Sequence, residues 1–203
     1  MSRLGLAEMA KVEPWSIDEV LGLPGQMKAA LLRDWGVHVN RRFGAGESER
    51  LRALVGIGAG ALPDAPNPEA RVPVGWQLAL TRAIAERHLG GDLLRLEALL
   101  IEDARRRPVS LVERVARLAV SPRRILSHAE KIHRDLFDIG ACKAELGKSG
   151  GTLTWTGARL FTEPTWRVLQ CFAIRGMCAV LNERPPTLFG ESLDEGFRLH
   201  LAW

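Results

Sequence analysis

The sequence predicts an α+β fold, with a helical N-terminal half followed by a β-β-α-β-β antiparallel-sheet module. Three observations predict it. Apolar residues recur at helical spacing through Trp76, Leu80, Ile84 and Leu89 and again through Leu93, Leu96, Leu100 and Ala104. After Gly140 the apolar period drops to two, first in Cys142, Ala144 and Leu146 and then in Leu153 and Trp155. A long apolar helix, Glu163 to Leu181, separates that stretch from a second alternating one ending at Trp203.

Taken in order, residues 1–70 read as short helices and loops, and residues 71–203 as the main α+β body, integrated into one domain at this length. Ser16 and Glu19 form a capping-box pair, so a helix starts there and ends at Gly22 and Pro24. A second helix is expected over Gln26 to Asp34, and Ser48 is placed to cap a third through Val55. Prolines 63, 66 and 68 make a loop. Asp92 caps the helix that follows Gly90 and Gly91, and Ser110 with Glu113 starts another through Ala119.

The module from Pro122 to Trp203 is the best marked. Ser121 is an N-cap with Pro122 at the first helical position, and a single helix is expected from there to a stop at Gly140. Its stripe of Ile125, Ala129, Ile132, Leu136 and Ile139 predicts one buried face. A hairpin turning through Gly147 to Gly151 follows. Thr162 is placed to cap the next helix, with Pro164 in its first turn and Phe161 and Trp166 as a staple. Pro185 and Pro186 end that helix. Thr187 to Phe189 and Phe197 to Trp203 form a second hairpin.

Composition narrows the function classes. The chain of 203 residues is 46% hydrophobic and 26% charged, ordinary for a globular protein. No window is long and apolar enough for a membrane span, and the N-terminus lacks the apolar core of a secretory signal, which predicts a cytoplasmic protein. The odd number of cysteines, Cys142, Cys171 and Cys178, argues against a disulfide framework. Basic residues exceed acidic ones by only four, and Arg105 to Arg107 and Arg123–Arg124 lack interleaved aromatics, so a nucleic-acid partner is not indicated.

No catalytic or metal motif emerges. Gly56 to Gly60 has glycines but lacks the preceding strand that a phosphate loop needs. Cys171 and Cys178 lie about 10 Å apart along one helix, too far to share an ion. His128 and His133 diverge by about 140° on a helix and cannot chelate together; His128, beside the apolar stripe, is the better candidate for a buried role. Glu163, His128 and Cys142 could serve as acid, base and nucleophile, although nothing in their spacing requires it.

The order of elements, and the segment Leu153 to Leu160 with Trp155, Gly157 and Arg159, resembles the haem-nitric-oxide-binding fold and the related vinyl-reductase-type ligand sensors. In that family a Tyr-x-Ser-x-Arg motif clasps the haem propionates. The resemblance implies Arg159 as the anion clamp, Trp155 at the tyrosine position and His128 as the nearest match to the axial histidine. The chain has no tyrosine, and Gly157 replaces the serine, so the pocket is expected to be haem-free and filled or reassigned. From about Gln26 the chain also resembles an uncharacterised, paralogue-rich family of myxobacterial proteins, through the Ser121 to Arg124 segment, Asp138 to Gly140 and the terminal Trp203.

The function expected on these grounds is a non-catalytic sensory or regulatory domain with a small-ligand pocket between the helical half and the sheet. The alternative is a protein-interaction module anchored by Trp15, Trp35 and Phe43. A haem gas sensor or an enzyme ranks below both.

Overall fold

The computed structural model describes residues 3–58, 61, 67, 69–106 and 121–203. The helix expected from Ser110 to Ala119, most of the proline loop and the end of the Arg105 to Arg107 cluster lie outside them.

The helical half opens with β1 (Leu4–Gly5), α1 (Leu6–Met9) and α2 (Ile17–Leu21). Ser16 caps α2 as its spacing predicts, with its Oγ accepting from the Glu19 amide at 3.2 Å and the Glu19 carboxylate accepting from the Ser16 amide at 3.0 Å. Next come β2 (Gln26–Lys28), α3 (Ala29–Phe43), α4 (Glu47–Leu54), β3 (Arg71–Pro73), α5 (Val74–Leu89) and α6 (Leu94–Arg106). Where a helix was expected from Gln26, residues 26–28 instead pair antiparallel with β3. The start of α4 also differs. Its N-cap is Gly46, in the left-handed region, and the Ser48 amide donates to the Asn40 side chain at 2.8 Å. At Gly75 the first turn of α5 passes so close to α2 that a Cβ would collide with the Val20 carbonyl.

The C-terminal module contains α7 (Pro122–Leu126), α8 (Ala129–Leu136), β4 (Ala141–Leu146), β5 (Gly150–Thr156), a 3₁₀ turn (Arg159–Thr162), α9 (Pro164–Val180), β6 (Thr187–Leu193) and β7 (Gly196–Ala202). The sheet runs β1-β6-β7-β5-β4, and every pairing in it is antiparallel. Alternation works as the sequence requires. Phe197, Leu199 and Leu201 of β7 are buried, while Arg198 and His200 between them are half-buried on the other face.

Across the buried face runs α9. Its Trp166 meets Trp155 edge-on at 5.2 Å and Phe161 at 4.9 Å, and Trp155 stacks on Phe197 at 5.9 Å. Such aromatic pairs add about 0.5–1.5 kcal/mol each beyond their buried area. All three cysteines are reduced and buried. The N-cap of α9 is Glu163 and not Thr162: its carboxylate accepts from the Trp166 amide at 2.7 Å, while Thr162 donates back to the Arg159 carbonyl.

The helix expected from Pro122 to Gly140 is divided. Ser121 does cap it, accepting from the Arg124 amide at 3.3 Å. At Ser127, however, the hydroxyl donates to the Arg124 carbonyl at 2.7 Å, a local bond that competes with helix propagation. The His128 amide then reaches only to Ile125, three residues back. At its far end α8 stops at Leu136, because residues 137–138 are drawn to β2. Phe137 bridges to Met27, and the Gln26 amide donates to the Asp138 carboxylate at 2.6 Å.

Candidate functional site

The divided helix, the first hairpin and α9 enclose a cleft of about 200 Å³. Ile125, Ala129, Ile132 and Leu136 form one wall, Cys142, Leu153 and Trp155 the floor, and Gln170, Ala173, Ile174 and Met177 the other wall. The apolar stripe of α7 and α8 is thus only half-covered, and Ile132 is 40% exposed. No Asp, Glu, Lys or Arg lines the cleft among the described residues.

Its main polar side chain is His133, which is buried. The ring lies against Phe137 at 5.2 Å and edge-on to Phe161 at 5.6 Å, and its Nε2 bonds the Ile139 carbonyl at 2.9 Å. A carbonyl can only accept, so Nε2 carries the proton. Burial pushes the imidazole below its ordinary range, against the pull of that carbonyl, and the ring is therefore neutral. Cys142 on the floor is pushed up to about 12 by burial and by the Glu130 charge, so its thiol stays protonated.

The residues singled out from the sequence do not converge. Trp155 is buried and faces the cleft. His128, expected in a buried role, is instead exposed at the N-cap of α8 and is not among the lining residues. Arg159 points outward, its guanidinium 4.3 Å from the Trp15 ring centroid and 3.5 Å from the Glu19 carboxylate, with 61% of its side chain exposed. The residue that sequence reasoning passed over is His133. Its signal was present: it stands four residues after Ala129, which places it on the flank of the apolar stripe.

A second space of about 200 Å³ lies among α3, α5 and α6, lined in part by Trp35, Val39, Phe43 and Leu99. Trp15, Trp35 and Phe43, the candidate interface anchors, are all half-buried against the core. No group of three or more His, Cys, Asp or Glu is arranged to hold a metal ion among the described residues. No described helix is long and apolar enough to cross a membrane.

The architecture is similar to that of solved haem-sensor domains of the H-NOX type. A structure concerned with modulating haem redox potential through protein-induced porphyrin distortion superposes with a TM-score of 0.58 at 12% identity, covering 87% of this chain and 100% of that one. The Fe(II) unliganded H-NOX protein from K. algicida gives 0.55 at 11% identity, covering 87% and 96%. A variant of Tt H-NOX gives 0.53 at 12%, covering 87% and 94%. At these identities the likeness establishes the fold alone, and the chain has an H-NOX-like α+β fold. No protein-family model and no curated protein matches the sequence, so the likeness to a myxobacterial family finds no support there.

Haem iron takes an axial ligand such as imidazole or thiolate, and the Cys142 thiol in the cleft is held protonated. Here His128 lies outside the cleft and Arg159 is engaged with Trp15 and Glu19, while His133 donates from Nε2 to Ile139 and keeps Nδ1 uncommitted. A space of about 200 Å³ is also below the roughly 300–1,000 Å³ of most ligand and cofactor sites.

Proposed function

We propose that this chain is a non-catalytic sensory or regulatory domain that binds a small, largely apolar ligand, without haem, in the cleft between α7–α8, β4–β5 and α9. The observation that carries this reading is the half-covered stripe of Ile125, Ala129, Ile132 and Leu136 facing Trp155 and Met177 across open space. Protein interiors close-pack, and a gap of this size forfeits dispersion contacts unless something fills it. The haem-sensing neighbours of the same fold support a ligand-binding role, and the outward engagement of Arg159, the place of His128 outside the cleft and the small volume support the haem-free form of it. The protonated Cys142 thiol supports the non-catalytic part. An interaction module is the weaker reading, because Trp15, Trp35 and Phe43 cover the core.

Thermal unfolding with a panel of small apolar molecules tests this. A ligand at a hundred times its Kd should stabilise the chain by about 2.7 kcal/mol, a Tm rise of several degrees. The filling substitution Ala173→Phe should abolish that rise. A Soret band on haem addition that His128→Ala or His133→Ala removes would overturn the haem-free assignment.

A further inference from the structure

Resting on the cleft as a ligand site, we propose that its ligand is an uncharged one-ring or fused two-ring aromatic molecule carrying a single hydroxyl or N–H group, which it donates to Nδ1 of His133. Size sets the first limit. An engineered apolar cavity of about 150 Å³ takes benzene, so about 200 Å³ admits one ring with a substituent or a compact fused pair.

Charge sets the second limit. A carboxylate or ammonium entering the cleft would be desolvated with no described charged side chain to meet it, and burying an unpaired charge is strongly unfavourable. The walls set the third. Trp155 and Met177 present a π-surface and a polarisable thioether, both of which favour an aromatic ring over an aliphatic chain of equal size.

The polar complement follows from the histidine's own bonding. Because Nε2–H donates to the Ile139 carbonyl, the neutral ring has one nitrogen left, Nδ1, and that nitrogen only accepts. A ligand bearing only acceptors therefore gains nothing from His133, whereas one bearing a donor does. Phe137 and Phe161 hold the ring in place, and His133 is among the residues that line the cleft. The Gln170 carboxamide on the opposite wall can follow a ligand of either kind and so does not discriminate.

The test is calorimetry on the full chain with three molecules of nearly equal shape: 4-methylphenol, 4-methylanisole and 1,4-xylene. The expected result is that 4-methylphenol binds about ten-fold tighter than either of the others, the worth of one buried hydrogen bond. His133→Phe, which keeps an aromatic ring between Phe137 and Phe161, should bring the three to parity while xylene binding persists. The ligand series reads the donor requirement even if that variant does not fold. Equal binding of all three to the unaltered chain would overturn the donor assignment and leave the cleft as a ligand site. A phenol preference that survives in His133→Phe would overturn the role of His133. Binding of none of them would sink the cleft reading as well.

Discussion

Two buried glutamates, one in each half of the molecule, stand at the start of a helix and titrate in opposite directions. Glu47 opens α4 and is 2% exposed; Arg50 meets its carboxylate at 2.8 Å, Arg87 at 2.6 Å and His88 at 2.9 Å. Led by the Arg50 bond, these partners hold it down at about 2. Glu163 caps α9 with no exposed surface. One oxygen accepts from the Trp166 amide, and the other finds no hydrogen-bond partner among the described residues. Burial pushes this carboxyl up, with the Trp166 amide, Thr165 and the more distant charge of Arg82 opposing but not reversing it. Depth and helix-terminal position are shared, so the difference lies in the partners: burial alone favours the neutral acid, and directly hydrogen-bonded cations reverse it at Glu47.

The pair should therefore impose opposite pH slopes on stability. A lowered folded pKa gives stability that is present above the ordinary 4.5 and lost as pH falls through about 2. A raised one gives stability that is complete below 4.5 and declines as pH rises towards the folded value.

The largest effect is expected from Glu47→Ala, which strands Arg87 and His88 beside a buried gap. Tm measured by circular dichroism should fall most at pH 7 and match the unaltered chain below pH 2. An equal loss at both would mean that the glutamate acts through packing and not through charge. Glu163→Gln should stabilise instead, by up to about 1 kcal/mol at pH 7, with the gain vanishing below pH 4.5, because an amide keeps the acceptor for Trp166 and removes the buried charge. A loss at pH 7 would show that the charge at the helix start outweighs its desolvation. Arg50→Ala should change Tm least of the three. Its side chain is 61% exposed, and water replaces much of what it supplies.

What could be read from the sequence was what neighbouring residues decide among themselves. The Ser16 box, the Ser121 cap with Pro122 and both hairpins are local devices that stand near where the spacing placed them, although β6 runs on to Leu193, four residues past the expected Phe189. Trp155 in the cleft floor followed from the period of two. The early end of α8 was not legible, because Gln26 and Met27, more than a hundred positions away, take its last residues. The cap of α9 moved from Thr162 to Glu163 because the 3₁₀ turn claims the threonine hydroxyl. His128 and His133 flank the same stripe from opposite sides, and only the packing of Phe137 and Phe161 decides that His133 is the buried one. The outward turn of Arg159 depends on Trp15 and Glu19, and no local pattern reports where those arrive.

The engagement of Arg159 also bears on how the chain reaches this form. It joins residues separated by 140 positions, and β1 adds to the sheet edge from the opposite end of the chain. Contacts spanning so much sequence close the largest loops and contribute only after the segments between them have ordered. The N-terminal segment carrying β1 and α2 is therefore expected to dock late, and interactions absent from the transition state act on the unfolding rate and not the folding rate. Arg159→Ala is expected to raise the unfolding rate only slightly, since its side chain is 61% exposed, and to leave the folding rate unchanged.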